Sequence, residues 1–228
     1  GMFFDLLKKE VIDYVGGQKD LKKKIIRTIG QADERFNEDY LRMLRAVRFA
    51  AQLDFNIEKH TFDAVKRHCG HITKISAERI AMELAALLKA EKRKKGIELL
   101  VETGLAGNIF PTFKNKSVSN FAVKIFGYLP KKISFELGMA GLFAKCSTDD
   151  AIENIEVLKL SRNELKHITF LLKKRDYLLK KLPLAEFKLI VSEPYFENLF
   201  MLQKAILKAH RKSTTALTAV RRRINSLR

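Results

Sequence analysis

From Asp33 onward apolar residues return every three or four positions, the period of an amphipathic α-helix. Tyr40, Leu44, Val47 and Ala51 fall on one stripe of the stretch Glu34–Leu53, which predicts one helical period running through it. Phe62, Val65 and Cys69 open a second stripe. Ile80, Leu84, Leu87 and Leu88 form a third, with Ser76 placed to cap it. Thr103-Gly104-Leu105-Ala106-Gly107, followed by Pro111, ends a fourth helix. Further on, Ile152 and Ile155 share a helix that Asp149-Asp150 caps. Ser161 and Glu164 make a capping box for the next, whose apolar face is Leu165, Ile168, Leu172 and Leu179. Ser192-Glu193-Pro194 reads as the start of a helix carrying Leu199, Leu202, Ile206 and Ala209. The first thirty residues differ. Val11–Val15 reads as a short strand closed by Gly16-Gly17, and Lys24–Ile29 as a second β-branched run ended by Gly30. Two strands do not make a stable sheet alone, so they pair with something else or lie against the helices. The pattern as a whole predicts an all-α fold, a multi-helix array with a short β remnant at its N-terminus.

Charge adds a partner to this picture. Lys and Arg number 44 against 26 Asp and Glu in 228 residues, a formal charge of +18, while 46% apolar residues exclude a disordered chain. The cations gather in runs: Lys22-Lys23-Lys24, Lys92-Arg93-Lys94-Lys95, Lys173-Lys174-Arg175 and Arg221-Arg222-Arg223. A single run is ordinarily a solvated helix face. After Glu197, however, no acidic residue follows, and that segment carries Lys204, Lys208, Arg211, Lys212, Arg221, Arg222, Arg223 and Arg228. Unbalanced positive charge repels itself, and polyanion phosphates relieve it with release of counterions, so a nucleic-acid partner is expected, of a kind that charge does not specify. No apolar run approaches the ~20 residues of a membrane span. Cys69 and Cys146 cannot make a disulfide framework, so a soluble protein of the reducing cytoplasm is expected. His68, Cys69 and His71 have no second ligand cluster at a metal-binding spacing and read as helix-end residues, with no metal assigned.

Residues 13–53 carry the specific signal. Gly16-Gly17, Asp20-Leu21, Arg27, Arg35-Phe36 and Glu38-Asp39-x-x-Arg42-x-x-Arg45, followed by Ile75-Ser76-Ala77-Glu78-Arg79-Ile80, closely resemble the neck of class II tRNA nucleotidyltransferases, the CCA-adding enzymes, and of bacterial poly(A) polymerases. The resemblance covers roughly residues 3 to 90; beyond them it is the general helical style of a body and tail. It implies a head–neck–body–tail layout. Residues 1–30 would be the end of a nucleotidyltransferase head, 31–111 the neck and start of the body, and 112–228 a basic helical body and tail. It also implies that Asp39 and Arg42 form an amino-acid template selecting the incoming CTP or ATP. Glu38 and Arg45 would shape that surface, Arg79 would brace the neck helices, and the basic tail would hold the tRNA or other RNA 3′-end substrate. The residue types suit that role independently: a carboxylate accepts from an exocyclic amine and a guanidinium donates a rigid fork. On one continuous helix Asp39 and Arg42 would lie about 60° apart, with Glu38, Arg42 and Arg45 on the flank opposite the apolar stripe. Outside this motif the same pair would read as a surface salt bridge. Gly16-Gly17 lacks a following Gly-Lys-Ser/Thr and reads as a turn rather than a phosphate loop.

Nucleotidyl transfer needs paired carboxylates for divalent metal, which the family places as Asp-x-Asp in its head. No Asp-x-Asp occurs in this sequence. Met2-Phe3-Phe4-Asp5 resembles the segment just after the head's Arg-Arg-Asp motif, with Leu6 where the family often has proline. The expectation is therefore the nucleotide- and RNA-binding portion of such an enzyme, inactive alone, with magnesium and ATP/CTP required by the intact protein and a missing or separate head supplying the catalysis. The alternative is a stand-alone, non-enzymatic helical RNA-binding module. A DNA-binding helical protein is not supported, since neither a helix-turn-helix nor a zinc pattern is present.

Overall fold

A computed structural model describes residues 1–226, so Arg228 of the acid-free segment lies outside the described residues. The chain divides into two compact units, Gly1–Ile109 and the segment from Phe110 onward. Fourteen α-helices and four short strands occur among the described residues, and the fold is essentially all-α.

The first unit opens on an antiparallel hairpin, β1 (Met2–Asp5) and β2 (Glu10–Asp13), with Met2 opposite Asp13 and Asp5 opposite Glu10. The predicted Val11–Val15 strand is thus shorter and begins one residue earlier. Asp13 ends it, because its carboxylate turns back to accept from the N–H groups of Val15, Gly17 and Gln18. Those bonds, from Gln18 and Gly17 first, hold the Asp13 carboxyl below its ordinary range. Gly16 sits at φ 74°, a left-handed turn that favours glycine, just before α1 (Gly17–Lys23). Of the second predicted run only β3 (Ile25–Ile26) is extended. It pairs in parallel with β4 (Asn56–Ile57), thirty residues on, which the period of the sequence does not reveal.

The helices of this unit are α2 (Ala32–Glu38), α3 (Leu41–Leu53), α4 (Lys59–His68), α5 (Ala77–Leu88), α6 (Arg93–Glu102) and α7 (Leu105–Ile109). Helix α3 is the centre, packed against α5 and α6. Leu44, Val47 and Ala51 of its predicted stripe are fully buried, as are Leu84, Leu87 and Leu88 of α5. Ser76 does hold the N-cap position of α5, but its side chain makes no capping bond. Gly104, at φ 81°, ends α6 as predicted. Burial drives this packing, at roughly 25 cal/mol per Å² of apolar surface removed from water. The ion pair of Arg48 with Glu83 (2.5 Å), largely shielded from solvent, adds a specific tie between α3 and α5.

The second unit comprises α8 (Lys116–Ile125), α9 (Phe135–Leu142), α10 (Thr148–Glu156), α11 (Arg162–Lys174), α12 (Leu184–Ser192), α13 (Phe196–Ala209) and α14 (Thr215–Asn225). Helix α9 is its core: Phe135 and every residue from Leu137 to Leu142 are buried, against α8, α11 and α13. A helix apolar all round has no stripe to read, which is why periodicity does not single it out. The Ser161–Glu164 capping box of α11 is present in both directions. Three local expectations are corrected. Ser147, not Asp149-Asp150, caps α10, its Oγ accepting from Asp150 N–H, while the two carboxylates sit in the first turn where the helix dipole favours them. Leu179 does not continue the face of α11; the helix ends at Lys174, and in the 3₁₀ turn Tyr177–Leu179 it is Leu178 that is buried. Ser192 closes α12 rather than opening α13, which starts at Phe196 after the Glu193-Pro194 break.

Candidate nucleotide-binding joint and basic surface

The helical period through residues 34–53 is interrupted where it matters most. Asp39 is extended (φ −155°, ψ 104°) between α2 and α3, so Asp39 and Arg42 are not related by a helical turn. The expected 60° placement on one continuous helix is incorrect. The cause is local: Asp39 Oδ1 accepts from Leu41 N–H (3.0 Å), an Asx turn just ahead of α3 that competes with continuation of α2. The apolar ring of Tyr40 then leaves the α3 stripe and packs on His71, ring centroids 4.6 Å apart.

The break separates two anchored groups. Arg42 Nη1 donates to Glu38 Oε2 (2.5 Å) and to the backbone carbonyl of Arg35 (3.0 Å), leaving Nε and Nη2 without a protein partner among the described residues. Arg35 Nη1 holds both oxygens of Glu38 (2.9 and 3.1 Å), while its Nε donates to Ile29 O (2.9 Å). Hydrogen bonds from Arg42 and then Arg35 keep the Glu38 carboxyl below its usual range. Asp39 pairs instead with Arg79, whose Nη2 reaches from α5 to Oδ2 (2.8 Å). Partial burial would raise the Asp39 carboxyl. The bonds from Arg79 and Leu41 N–H, with the charges of Arg79 and Arg42, outweigh it and the group is held ionised.

Arg42 and Arg45 line one cleft of about 240 Å³, floored by Phe36, Ala46 and Phe49 and walled by Thr28 and Thr61; Asp39 is not part of its lining. Arg45 is exposed, its guanidinium 5.8 Å from the Phe49 ring. A larger cleft of about 660 Å³ shares Ile26, Arg27, Thr28 and Phe49 with it and contains the Asp20–Arg27 pair (2.9 and 3.2 Å). Thr28, Phe49 and Thr61 carry no motif. The signal that would have found them is the β3–β4 pairing, which brings the segment after Ile26 alongside the start of α4.

The basic tail proves heterogeneous. Lys204, Lys208, Arg211, Lys212 and Arg222 are exposed. Arg221 is instead bound through both guanidinium nitrogens to Glu197 and lies over the Phe200 ring (4.1 Å). Arg223 donates to Leu182 O (3.2 Å) and lies over Phe187 (4.2 Å). Two of the three arginines expected to hold RNA therefore pin α14, because a guanidinium on an aromatic face gains from both dispersion and charge. Replacing Arg221 by alanine is expected to destabilise the second unit by about 1 kcal/mol. Arg222→Ala should leave the thermal melt unchanged and act on RNA affinity alone; equal melts for the two variants would refute this division of labour.

Among the described residues no three His, Cys, Asp or Glu side chains form a group able to hold a metal, and no helix is long and apolar enough to cross a membrane. His68 is bound to Asp33 (2.8 Å), which also takes Arg67, so it serves the α2–α4 contact.

Comparison with known proteins places the chain among relatives of one kind. Residues 54–116 match the family described as the probable RNA and SrmB-binding site of polymerase A. The CCA-adding enzyme of Ligilactobacillus salivarius is 47% identical over 98 residues, which cover 43% of this chain and 24% of that protein. That of Staphylococcus saprophyticus is 34% identical over 182 residues, 80% of this chain and 43% of its own length. The crystal structure of the Bacillus stearothermophilus CCA-adding enzyme in complex with CTP superposes with a TM-score of 0.75 at 24% identity, covering 99% of this chain and 56% of that one, which shows the shared fold. The chain spans less than half the length of these curated relatives. With the neck motif spread over α2, α3 and α5 and the same fold, the chain is similar in both sequence and fold to a part of the class II tRNA nucleotidyltransferases, the CCA-adding enzymes.

Proposed function

We propose that this chain is the nucleotide-selecting and RNA-holding part of a CCA-adding enzyme, which extends a tRNA 3′ end from CTP and ATP. The observation that carries the proposal is the joint between α2 and α3, where Arg42 is clamped by Glu38 and Asp39 by Arg79 while each keeps free hydrogen-bonding capacity. A carboxylate offers about four acceptor sites and a guanidinium five N–H donors, so neither is exhausted by the bonds it makes here. Cytosine and adenine both present an exocyclic amine beside a ring-nitrogen acceptor. The Asp39 carboxylate accepts from the amine and the free edge of Arg42 donates to the ring nitrogen. Uracil and guanine place a carbonyl oxygen where the amine would be, opposite a carboxylate that has nothing to donate. Selection of C and A over U and G follows from charge and donor pattern, without a nucleic-acid template. Anchoring both side chains in advance lowers the ordering cost of binding.

Similarity to the CCA-adding enzymes implies nucleotide substrates and a divalent metal for the intact enzyme; the proposed selection runs through no metal. The exposed cations Lys204, Lys208, Arg211, Lys212 and Arg222 would hold the RNA backbone. The test is binding of this chain to a tRNA lacking its CCA end, titrated with salt against excess duplex DNA. Saturable binding that survives the competitor is expected. Weak binding lost equally to salt with RNA and DNA would overturn the RNA-holding half of the proposal.

A further inference from the structure

The second unit contains a positively charged spot that its own carboxylates do not balance. His210 follows the last turn of α13, and its ring packs against Phe121 of α8, centroids 4.7 Å apart and tilted by 35°. Lys145, just beyond α9, places its ammonium 5.8 Å from the centre of the same Phe121 ring. Phe121 itself is buried, so imidazole and ammonium stand on one apolar floor. Lys124 in the last turn of α8 and Lys212 just past α13 complete the group, and all four side chains belong to exposed residues.

Cations at helix C-termini ordinarily compensate the partial negative charge of the terminal carbonyls. Here their charges also fall on an imidazole. Partial desolvation of the face packed on Phe121 first, and then the charges of Lys212, Lys145 and Lys124, push His210 below the ordinary imidazole range; Asp176, past the end of α11, opposes them more weakly. Lys124, Lys145 and Lys212 have no carboxylate within ion-pair distance among the described residues. Arg175, beside Asp176, leaves a buried Nη1 with no hydrogen-bond partner, and its charge also reaches Cys146, next to Lys145. Two of its cationic or titratable groups stand on the same aromatic ring, a setting that suits a compact anion.

We infer that Lys124, Lys145, His210 and Lys212 form a binding site for a backbone phosphate of the bound RNA. This rests on the RNA-holding reading above and gives it a place that the acid-free segment alone did not indicate, since two of the four residues lie far upstream in sequence. A phosphate seated there accepts from the ammonium groups and brings negative charge beside the imidazole. The protonated form of His210, disfavoured in the free protein, is favoured once the phosphate is bound, so binding takes up a proton and strengthens as the pH falls through the imidazole range.

Histidine-labelled full chain, followed by NMR against a tRNA transcript without its CCA end, tests this. The midpoint of the His210 titration is expected to rise when tRNA is bound. In the Lys124→Gln/Lys145→Gln double variant the midpoint should not respond to tRNA. The slope of log affinity against log salt should fall in magnitude by about 2, with affinity at low salt down roughly tenfold. Inorganic phosphate at the same phosphate concentration is the control for a free anion: a shift of His210 as large as that with tRNA would overturn the assignment to a nucleic-acid backbone. If tRNA binds while His210 and the salt slope of the double variant are unchanged, the site is refuted and the RNA-holding function stands. If the wild-type chain binds no tRNA, both fall together.

Discussion

Arg42→Ala, introduced into an enzyme that joins this chain to the catalytic head of a CCA-adding relative, is expected to abolish discrimination between the correct nucleotides and UTP or GTP. The loss should be about 10- to 100-fold, the worth of a bidentate base contact of roughly 1–3 kcal/mol. Nη1 of Arg42 is spent on Glu38 and on the carbonyl of Arg35, so the edge left for the proposed base contact is Nε and Nη2. Alanine removes that edge and also leaves Glu38 with Arg35 alone. Glu38→Gln tests the clamp separately. It keeps a hydrogen-bonding side chain but removes the charge that holds Arg42, and it should weaken selectivity less than Arg42→Ala does. Steady-state kcat/KM for each of the four nucleotides is the measurement, and unchanged ratios in Arg42→Ala would refute the template role.

The second large effect is on stability. Gly96→Val is expected to destabilise the first unit by about 3 kcal/mol, the upper range for overpacking a close-packed interior. The melting temperature should fall by roughly 10 °C. A Cβ at Gly96 would stand 2.9 Å from the Cβ of Ala51 and 3.1 Å from the Cγ of Leu87. Ala51 lies on α3 and Leu87 on α5, both fully buried, so neither can retreat without moving the helix that carries it. Glycine inside a helix costs about 1 kcal/mol relative to alanine, and at this position the cost is offset by the close approach of α6 to α3. Because α3 also carries Arg42 and Arg45, the substitution should reduce nucleotide affinity along with stability. A melt unchanged from wild type would show that α6 does not seat as closely as the distances indicate.

Much of the architecture was legible before folding because it depends on neighbours in sequence. The buried face of α3, the Leu84–Leu87–Leu88 face of α5, the Ser161–Glu164 capping box and the left-handed Gly104 are each set by residues within one or two turns of one another. Helix α9 escaped the same reading for a physical reason: surrounded on all sides, it has no polar face for a period to reveal.

The site divides along the same line. Glu38, Asp39, Arg42, Arg45 and Arg79 are identifiable from their order and spacing, and so is the local chemistry that a carboxylate and a guanidinium offer a base. Which of them pair was decided by tertiary structure. Asp39 leaves the helical path and meets Arg79, forty residues away, while Arg42 falls to Glu38 and the carbonyl of Arg35. Arg221 and Arg223 look like free cations in a basic run and are taken up by Glu197, Phe200, Leu182 and Phe187 instead. Sequence alone determined the helical class of the chain, its excess of positive charge and the family whose neck motif it carries. Only the tertiary structure decided which charges remain free to meet a ligand, because side-chain partnerships are settled by which helix faces are brought together, and local periodicity does not encode those distances.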